Sequence, residues 1–159
     1  MAFGIVILSI LMVYGTVMWV KPSAKDRRLA ELRMNALKDG IKVQQGHIDD
    51  LSIDGRVNRA SRQVFFYRLL KNSADRPTVT LLRTTGESGI YLPDGWAWEQ
   101  NKRLPPERIQ PMTPFLLSLP ESVFGIEMSP GYVGIAWDER DPSQFDQVKQ
   151  DLSTLLTLG

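Results

Sequence analysis

Apolar residues fill the first part of the chain without interruption and alternate with polar residues through much of the rest. Residues 2–20 contain no charged side chain, and Lys21 and Pro22 end the run. Nineteen residues in an α-helix extend over about 29 Å, close to the thickness of the hydrocarbon core of a bilayer. The pattern therefore predicts a transmembrane helix over residues 1–20.

Two other interpretations of this run fit less well. A secretory signal peptide has basic residues before its apolar core and a small-x-small cleavage site after it, and residues 18–22 offer no such site. A buried helix of a globular domain usually has a polar face, whereas this run is apolar on all sides. We therefore expect the span to be retained.

The charges that flank the run predict its orientation. Residues 21–42 carry seven basic and three acidic side chains, a net charge of +4, and no Lys or Arg precedes the run. The positive-inside rule then places the N-terminus outside and the C-terminal part in the cytoplasm. The four basic residues nearest the span are predicted to contact anionic lipid headgroups: Lys21, Lys25, Arg27 and Arg28.

Within the run, Tyr14 lies too deep for the interfacial belt of aromatic residues, so its hydroxyl needs a partner inside a helix bundle. Gly15 and Thr16 are a small and a hydroxylated residue, the types that allow close packing of membrane helices. We therefore predict that Tyr14, Gly15 and Thr16 contact integral membrane proteins of a larger complex.

Residues 23–39 have the pattern of a helix. Ser23 is a suitable N-cap with Asp26 three residues later, and Gly40 occupies the position after the C-cap. Two interpretations of this juxtamembrane helix remain open. Its basic residues touch lipid headgroups, or its apolar stripe packs on the soluble domain; the stripe consists of Leu29, Leu32, Ala36 and Leu37.

Beyond Gly40 the period changes from helical to alternating, which predicts strands. The predicted strands are residues 41–44, 63–70, 78–84, 89–92, 96–99, 123–128 and 132–137, with an irregular stretch over 46–61. We expect 63–70 to pair with 78–84 as a hairpin, and 123–128 with 132–137 about a Ser-Pro-Gly turn. Prolines limit residues 104–120 to short helices, and Asp141-Pro142 opens an amphipathic C-terminal helix.

These elements predict an α+β protein of three parts. Residues 1–20 form the transmembrane helix, 21–40 the basic juxtamembrane helix, and 41–159 a cytoplasmic domain with a largely antiparallel sheet of five to seven strands. Residues 43–159 carry twelve basic and fifteen acidic side chains. This distribution does not favour nucleic-acid binding, which needs a basic patch on a presented face.

Motifs for catalysis or for cofactor binding are absent from the sequence. The chain has no cysteine and a single histidine, His47, so no metal site of the zinc or iron–sulfur type is expected. The spacing of Asp49, Asp50 and Asp54 does not match a calcium loop and suits turn formation. Neither a nucleophile elbow nor a phosphate-binding glycine loop occurs, and we expect no cofactor.

Trp96 and Trp98 are two residues apart and so share one face of a strand. They belong to the core or they face a partner protein, since tryptophan is enriched at the centres of interfaces. With Asp94 and Glu99 nearby, a sugar-binding site is a third and less favoured interpretation.

Three classes of function remain. The first is a non-enzymatic accessory or assembly subunit of a membrane complex, which the single span and the lack of catalytic motifs favour. The second is a membrane-tethered module that recruits a soluble partner or senses anionic lipid. The third, less favoured, is an enzyme that acts at the membrane surface without a recognisable motif.

The stretch Lys21-Pro22-Ser23 through Val43, and the later stretch from Met128 to Glu139, resemble small single-pass inner-membrane proteins of proteobacteria. In that group Pro-Ser precedes a basic helix, and a Gly and a strand follow it. The group has no established activity, so the resemblance implies an inner-membrane setting and no site residue.

Overall fold

A computed structural model describes residues 23–49, 61–86, 88–99 and 103–159, together with the isolated positions 4, 7, 12 and 14. The predicted span therefore falls mostly outside the described residues, as do Gly15, Thr16 and Lys21. The four isolated positions lie in helical backbone. In the described part of the chain, no helix combines the length and apolar character that a membrane crossing requires.

The described residues form four α-helices and six strands. The helices are α1 (Ala24–Lys38), α2 (Pro106–Ile109), α3 (Thr113–Ser118) and α4 (Phe145–Leu158), with short 3₁₀ turns at Gln110–Met112 and Pro142–Gln144. The strands are β1 (Ile41–Asp49), β2 (Ser61–Leu70), β3 (Val79–Arg83), β4 (Trp96–Trp98), β5 (Val123–Ser129) and β6 (Tyr132–Trp137).

The six strands make one sheet in the order β1-β2-β6-β5-β3-β4, and every neighbouring pair is antiparallel. This confirms the predicted α+β class and the antiparallel sheet. The hairpin of β5 and β6 is confirmed as well, with Ser129 paired to Tyr132 across the turn.

The predicted hairpin of 63–70 with 78–84 is wrong, because β2 pairs with β6 and β3 pairs with β5. After β2 the chain runs past the end of the β5–β6 hairpin, where Lys71 N–H donates to Gly131 O (3.1 Å) and Ser73 N–H donates to Pro130 O (2.7 Å). Buried Arg76 donates to Lys71 O (2.7 Å) and to Ser129 O (3.2 Å), which fixes the crossing. The chain therefore re-enters the sheet at β3, with the two strands β6 and β5 between it and β2.

Two other predictions need correction. Residues 89–92 form a turn and not a strand, because Leu92 N–H donates back to Gly89 O (3.0 Å). The first strand continues past residue 46 to Asp49, where an irregular stretch was expected, since β2 pairs with it at all nine positions. Residues 50–60, with Asp50 and Asp54, lie outside the described residues.

Local signals at the helix ends are confirmed. Ser23 and Asp26 form the expected capping box of α1, and Gly40 follows the helix with φ +75°, a conformation that glycine adopts without steric cost. Asp141 caps the 3₁₀ turn that leads into α4, and its side chain accepts from Ser143 N–H (3.0 Å).

The main core lies between the helices and one face of the sheet. Leu32 and Ala36 of α1 are buried in it, which confirms that the apolar stripe of this helix packs on the domain, although Leu37 is 58% exposed. The largest buried side chains include Tyr67, Trp96 and Trp137. A smaller cluster of buried residues lies on the opposite face of the sheet: Ile48, Val64, Phe66, Leu82 and Ala136.

Beside this smaller cluster, Arg68 of β2 forms an ion pair with Glu127 of β5 across the intervening strand β6. Arg68 Nη2 donates to Glu127 Oε2 (3.0 Å), and the guanidinium also donates to Gln44 of β1. Gly134 stands opposite both Arg68 and Glu127 in the register. Because it has no side chain, it leaves room for the Glu127 carboxylate to lie across β6.

We expect Gly134→Ala to lower the free energy of unfolding by about 2 kcal/mol, since overpacking of a tight site has a cost of this size. The new Cβ would lie 2.5 Å from Glu127 Oε1 and 2.7 Å from its Cγ. Thermal unfolding of the full chain in detergent, followed by circular dichroism, measures the effect. Gly131→Ala is the control, because the nearest atom to its Cβ is 3.8 Å away. Equal stability of the two variants would contradict the packing argument.

Candidate functional site

The first turn of α1 carries three of the four residues predicted to contact anionic lipid. Lys25, Arg27 and Arg28 are exposed, and their side chains form no hydrogen bond or ion pair within the described part of the chain. The fourth, Lys21, precedes the described residues. The structure thus leaves these three cations available to an external anion.

The capping box holds this turn in place. Ser23 N–H and Oγ donate to Asp26 Oδ2 (3.1 and 2.6 Å), and Asp26 N–H donates to Ser23 Oγ (3.1 Å). The hydrogen bond from the Ser23 side chain, followed by that from its backbone, lowers the pKa of Asp26. The helix therefore begins at a defined residue directly after the predicted span.

Further along α1, Arg33 connects the helix to the sheet. Its guanidinium donates to Glu139 through two hydrogen bonds, Nε to Oε1 (2.9 Å) and Nη2 to Oε2 (2.5 Å). The Tyr67 hydroxyl of β2 donates to the same Oε1 (2.7 Å), and the guanidinium lies over the Phe65 ring at 3.8 Å. Both oxygens of a buried carboxylate are thus satisfied, as burial of a charge requires.

This network changes the ionisation of its members. The hydrogen bond to Glu139 raises the pKa of Arg33, and burial, followed by the hydrogen bond to Glu139, raises the pKa of Tyr67. Arg33 therefore stays charged and Tyr67 stays neutral at any physiological pH. Glu139 adopts φ +54°, which is uncommon for a residue with a side chain, and the paired carboxylate stabilises it there.

A groove of about 530 Å³ separates α1 from the start of α4. Lys149 bridges its two sides, because its Nζ lies 3.1 Å from Asp39 Oδ2 and 2.9 Å from Asp146 Oδ1. The lining mixes charges of both signs: Arg28, Glu31, Leu32, Asn35, Lys38, Asp39, Pro142, Ser143, Phe145, Asp146 and Lys149. Its shape is open and its chemistry is not that of a convergent catalytic site.

The two predicted tryptophans belong to the interior of the domain. Trp96 is 1% exposed and its indole N–H donates to Leu116 O (3.1 Å). Trp98 packs partly buried against the same core, and its indole N–H donates to Ile90 O (3.0 Å). Trp96 is therefore too buried to contact a partner protein or a sugar, and it belongs to the core.

The remaining titratable residues of interest, His47 and Asp151, lie on different elements of the domain. Exposed His47 lies on β1 opposite Gln63, and no group of metal-ligating side chains occurs among the described residues. Asp151 of α4 is buried, and burial raises its pKa. Its Oδ1 accepts from Gln147 Nε2 (2.9 Å), while its Oδ2 has no partner within the described structure.

Two features could not be read from the sequence. Glu139 is 106 residues from Arg33 along the chain, and no local pattern marks it. The second feature is the turn at residues 89–92, where the alternating pattern predicts a strand. Ile90 and Tyr91 are exposed in this turn, and Tyr91 has a positive φ of +66°.

No family model, curated protein or solved structure matches this chain. The resemblance of residues 21–43 and 128–139 to bacterial inner-membrane proteins therefore remains an expectation.

We expect Glu139→Gln to lower the free energy of unfolding by about 2 kcal/mol and the midpoint of thermal unfolding by about 4 to 8 °C. The substitution removes the charge that pairs with partly buried Arg33 and weakens the acceptor of the Tyr67 hydroxyl. Circular dichroism of the full chain in detergent measures the midpoint.

Glu31→Gln provides the control for this variant, since Glu31 is exposed on α1 and forms no ion pair in the described structure. We expect it to stay within about 0.5 kcal/mol of the parent. If Glu139→Gln behaved like Glu31→Gln, the network would not be what joins α1 to the sheet.

Proposed function

We propose that this chain is a non-enzymatic accessory or assembly subunit of a bacterial inner-membrane complex. Residues 1–20 anchor it as a single transmembrane helix with the N-terminus outside, and the α+β domain lies at the cytoplasmic face. The observation that carries the proposal is the position of α1, which starts at Ala24 directly after the apolar run and is itself a core element of the domain.

Because α1 belongs to the core, the folded domain already starts at Ala24, close to the end of the apolar run. Leu32 and Ala36 are buried, and Arg33 is fixed by Glu139. The helix is therefore held on the sheet, and a domain whose core includes α1 lies close to the proposed span. This arrangement suits a subunit that presents a surface at a defined position.

The charges of α1 support the same placement. Lys25, Arg27 and Arg28 have no partner in the described part of the domain and stand next to the proposed span. Cations in this position gain about 1 kcal/mol each from an anionic leaflet. By contrast, Arg83 is used internally, because its Nε donates to Val123 O (2.9 Å) and its Nη2 donates to Leu119 O (2.9 Å).

A membrane-tethered binding module is the second candidate. The groove between α1 and α4 favours it, since a volume of about 530 Å³ is within the range of ligand-binding clefts. In that case a soluble partner or an anionic lipid headgroup would occupy the groove, beside Arg28 and Lys38.

The absence of cysteine allows a direct test of topology. Ala2→Cys and Ser153→Cys each introduce one thiol, the second on the exposed side of α4. We expect a membrane-impermeant maleimide to label the first in intact spheroplasts and the second only after permeabilisation. Labelling of Ser153→Cys in intact spheroplasts would refute the orientation, and recovery of the chain in the soluble fraction would refute the anchor.

The role as a subunit is tested by mild extraction of native membranes. We expect the full chain to elute in size-exclusion chromatography with a large assembly whose other components are integral membrane proteins, identified by mass spectrometry. An 18.0 kDa chain that elutes alone in its detergent micelle would contradict the proposal. A complex with a soluble protein only would favour the binding module.

A further inference from the structure

The outer side of β1 is an unpaired strand edge. Among the described strands its one neighbour is β2, with which it pairs at nine positions without a bulge. Within the described part of the chain, no backbone hydrogen bond reaches the side of β1 that faces away from β2. The strand therefore presents a row of free N–H and C=O groups along its length.

This edge lacks most of the features that prevent pairing with another chain. Proteins usually protect an edge by a short strand, a bulge, a proline or charged side chains. β1 is long and regular and contains no proline, and between residues 41 and 48 its single charged side chain is Lys42. Gln44 and Gln45, near its centre, are exposed and uncharged. The edge is therefore open to a further strand.

The other edge of the sheet, β4, is closed by the chain itself. Trp96 O accepts from Gly89 N–H (2.9 Å), and Trp96 N–H donates to Pro93 O (3.3 Å). The indole N–H of Trp98 donates to Ile90 O (3.0 Å), so the turn at residues 89–92 lies along this short strand. A second copy therefore finds no free edge at β4, and pairing of β1 with β1 gives a closed dimer and not an open stack of sheets.

A second copy of β1 complements the first in an antiparallel register centred on Gln45. In this register all nine positions of the strand are paired. Gln45 lies opposite its own copy, and its side-chain amide both donates and accepts hydrogen bonds. Lys42 lies opposite Ile48, so this register does not place two lysines opposite each other. Both strands are already ordered, so their pairing avoids the entropy that a disordered peptide loses when it is bound.

The symmetry of this pairing suits two chains in one membrane. Antiparallel pairing of identical edges gives a two-fold axis perpendicular to the sheet, and this axis maps each face of the sheet onto itself. The two copies of α1, which pack on the same face, then lie on one side of the dimer, so both proposed spans can enter the same bilayer. Confinement to a membrane also raises the effective concentration of the two edges.

We propose that β1 pairs with β1 of a second copy of this chain, so that two sheets join into one continuous antiparallel sheet. Addition of a strand to a free edge is a common mode of protein recognition, in which backbone hydrogen bonds supply the contact. The pairing itself is argued from the sheet, whereas the direction of the two-fold axis along the membrane normal rests on the proposed function.

Disulfide crosslinking of the full chain tests the pairing, since the sequence contains no cysteine. Gln45→Cys places two thiols directly opposite each other, with Cα atoms about 4.5 to 5.5 Å apart, which is within the range of disulfides. After oxidation of membranes from cells that express the chain, we expect at least fivefold more dimer than for Ser153→Cys, the control at an exposed position of α4. Equal yields, or an adduct of Gln45→Cys with a different protein, would overturn the proposal.

A matched pair of substitutions separates pairing from folding. Gln45→Glu places two carboxylates opposite each other in the dimer, whereas Gln63→Glu makes the same change at an exposed position of β2, opposite His47. Light scattering after mild extraction measures the fraction of chains at twice 18.0 kDa, and circular dichroism checks the fold. We expect this fraction to fall at least fivefold for Gln45→Glu and to stay unchanged for Gln63→Glu, and equal fractions would contradict the pairing.

The same preparations distinguish this proposal from the proposed function. A chain that forms no dimer but is extracted with integral membrane proteins would refute the pairing of β1 and leave the subunit role in place. A dimer linked through Gln45→Cys that is recovered with no other protein would support the pairing and contradict the subunit role.

Discussion

The ion pair between Arg33 and Glu139 is the interaction on which the arrangement of this protein depends. The apolar face that α1 buries is small, consisting of Leu32, Ala36 and part of Leu29, so hydrophobic burial alone gives the helix little directional constraint. A bidentate contact between a guanidinium and a carboxylate does fix the rotation of the helix about its axis, because both hydrogen bonds are lost when the helix rotates. Through it, the helix that follows the apolar run is joined to a sheet whose strands span residues 41–137.

Short-range sequence signals predicted most of the helices and strands. They did not predict which strands pair with each other. The capping box of α1, the glycine that ends it and the Asp-Pro start before α4 are signals that act within a few residues. Alternation predicts which side chains share a face, but it does not say which strand lies alongside. For this reason 63–70 and 78–84 were both recognised as strands and wrongly paired. The decisive contact, buried Arg76 on the carbonyls of Lys71 and Ser129, joins residues that no sequence pattern connects.

The same distinction applies to the candidate sites. The helical pattern of residues 23–39 places Lys25 and Arg28 off the apolar stripe, and both are exposed on α1, whereas their contact with lipid stays a prediction. The carboxylate of Glu139 was not predictable, since only the fold brings it to Arg33. For Trp96 and Trp98, the spacing correctly placed both on one face but could not say that this face is covered by helices. The turn at residues 89–92 was not predicted for a related reason. Isoleucine and tyrosine are typical of strands, so composition alone favours a strand there and does not indicate the positive φ of Tyr91.

On the proposed function, the unequal distribution of charge along the chain helps to orient the domain. Residues 21–42, which lead into β1, hold a net charge of +4, and residues 43–159 hold a net charge of −3. An anionic membrane attracts residues 21–42, which favours an orientation of the domain with the start of α1 toward the lipid. The apolar run and the basic segment after it therefore favour the same placement of α1 beside the bilayer, one through burial in lipid and the other through attraction to its headgroups.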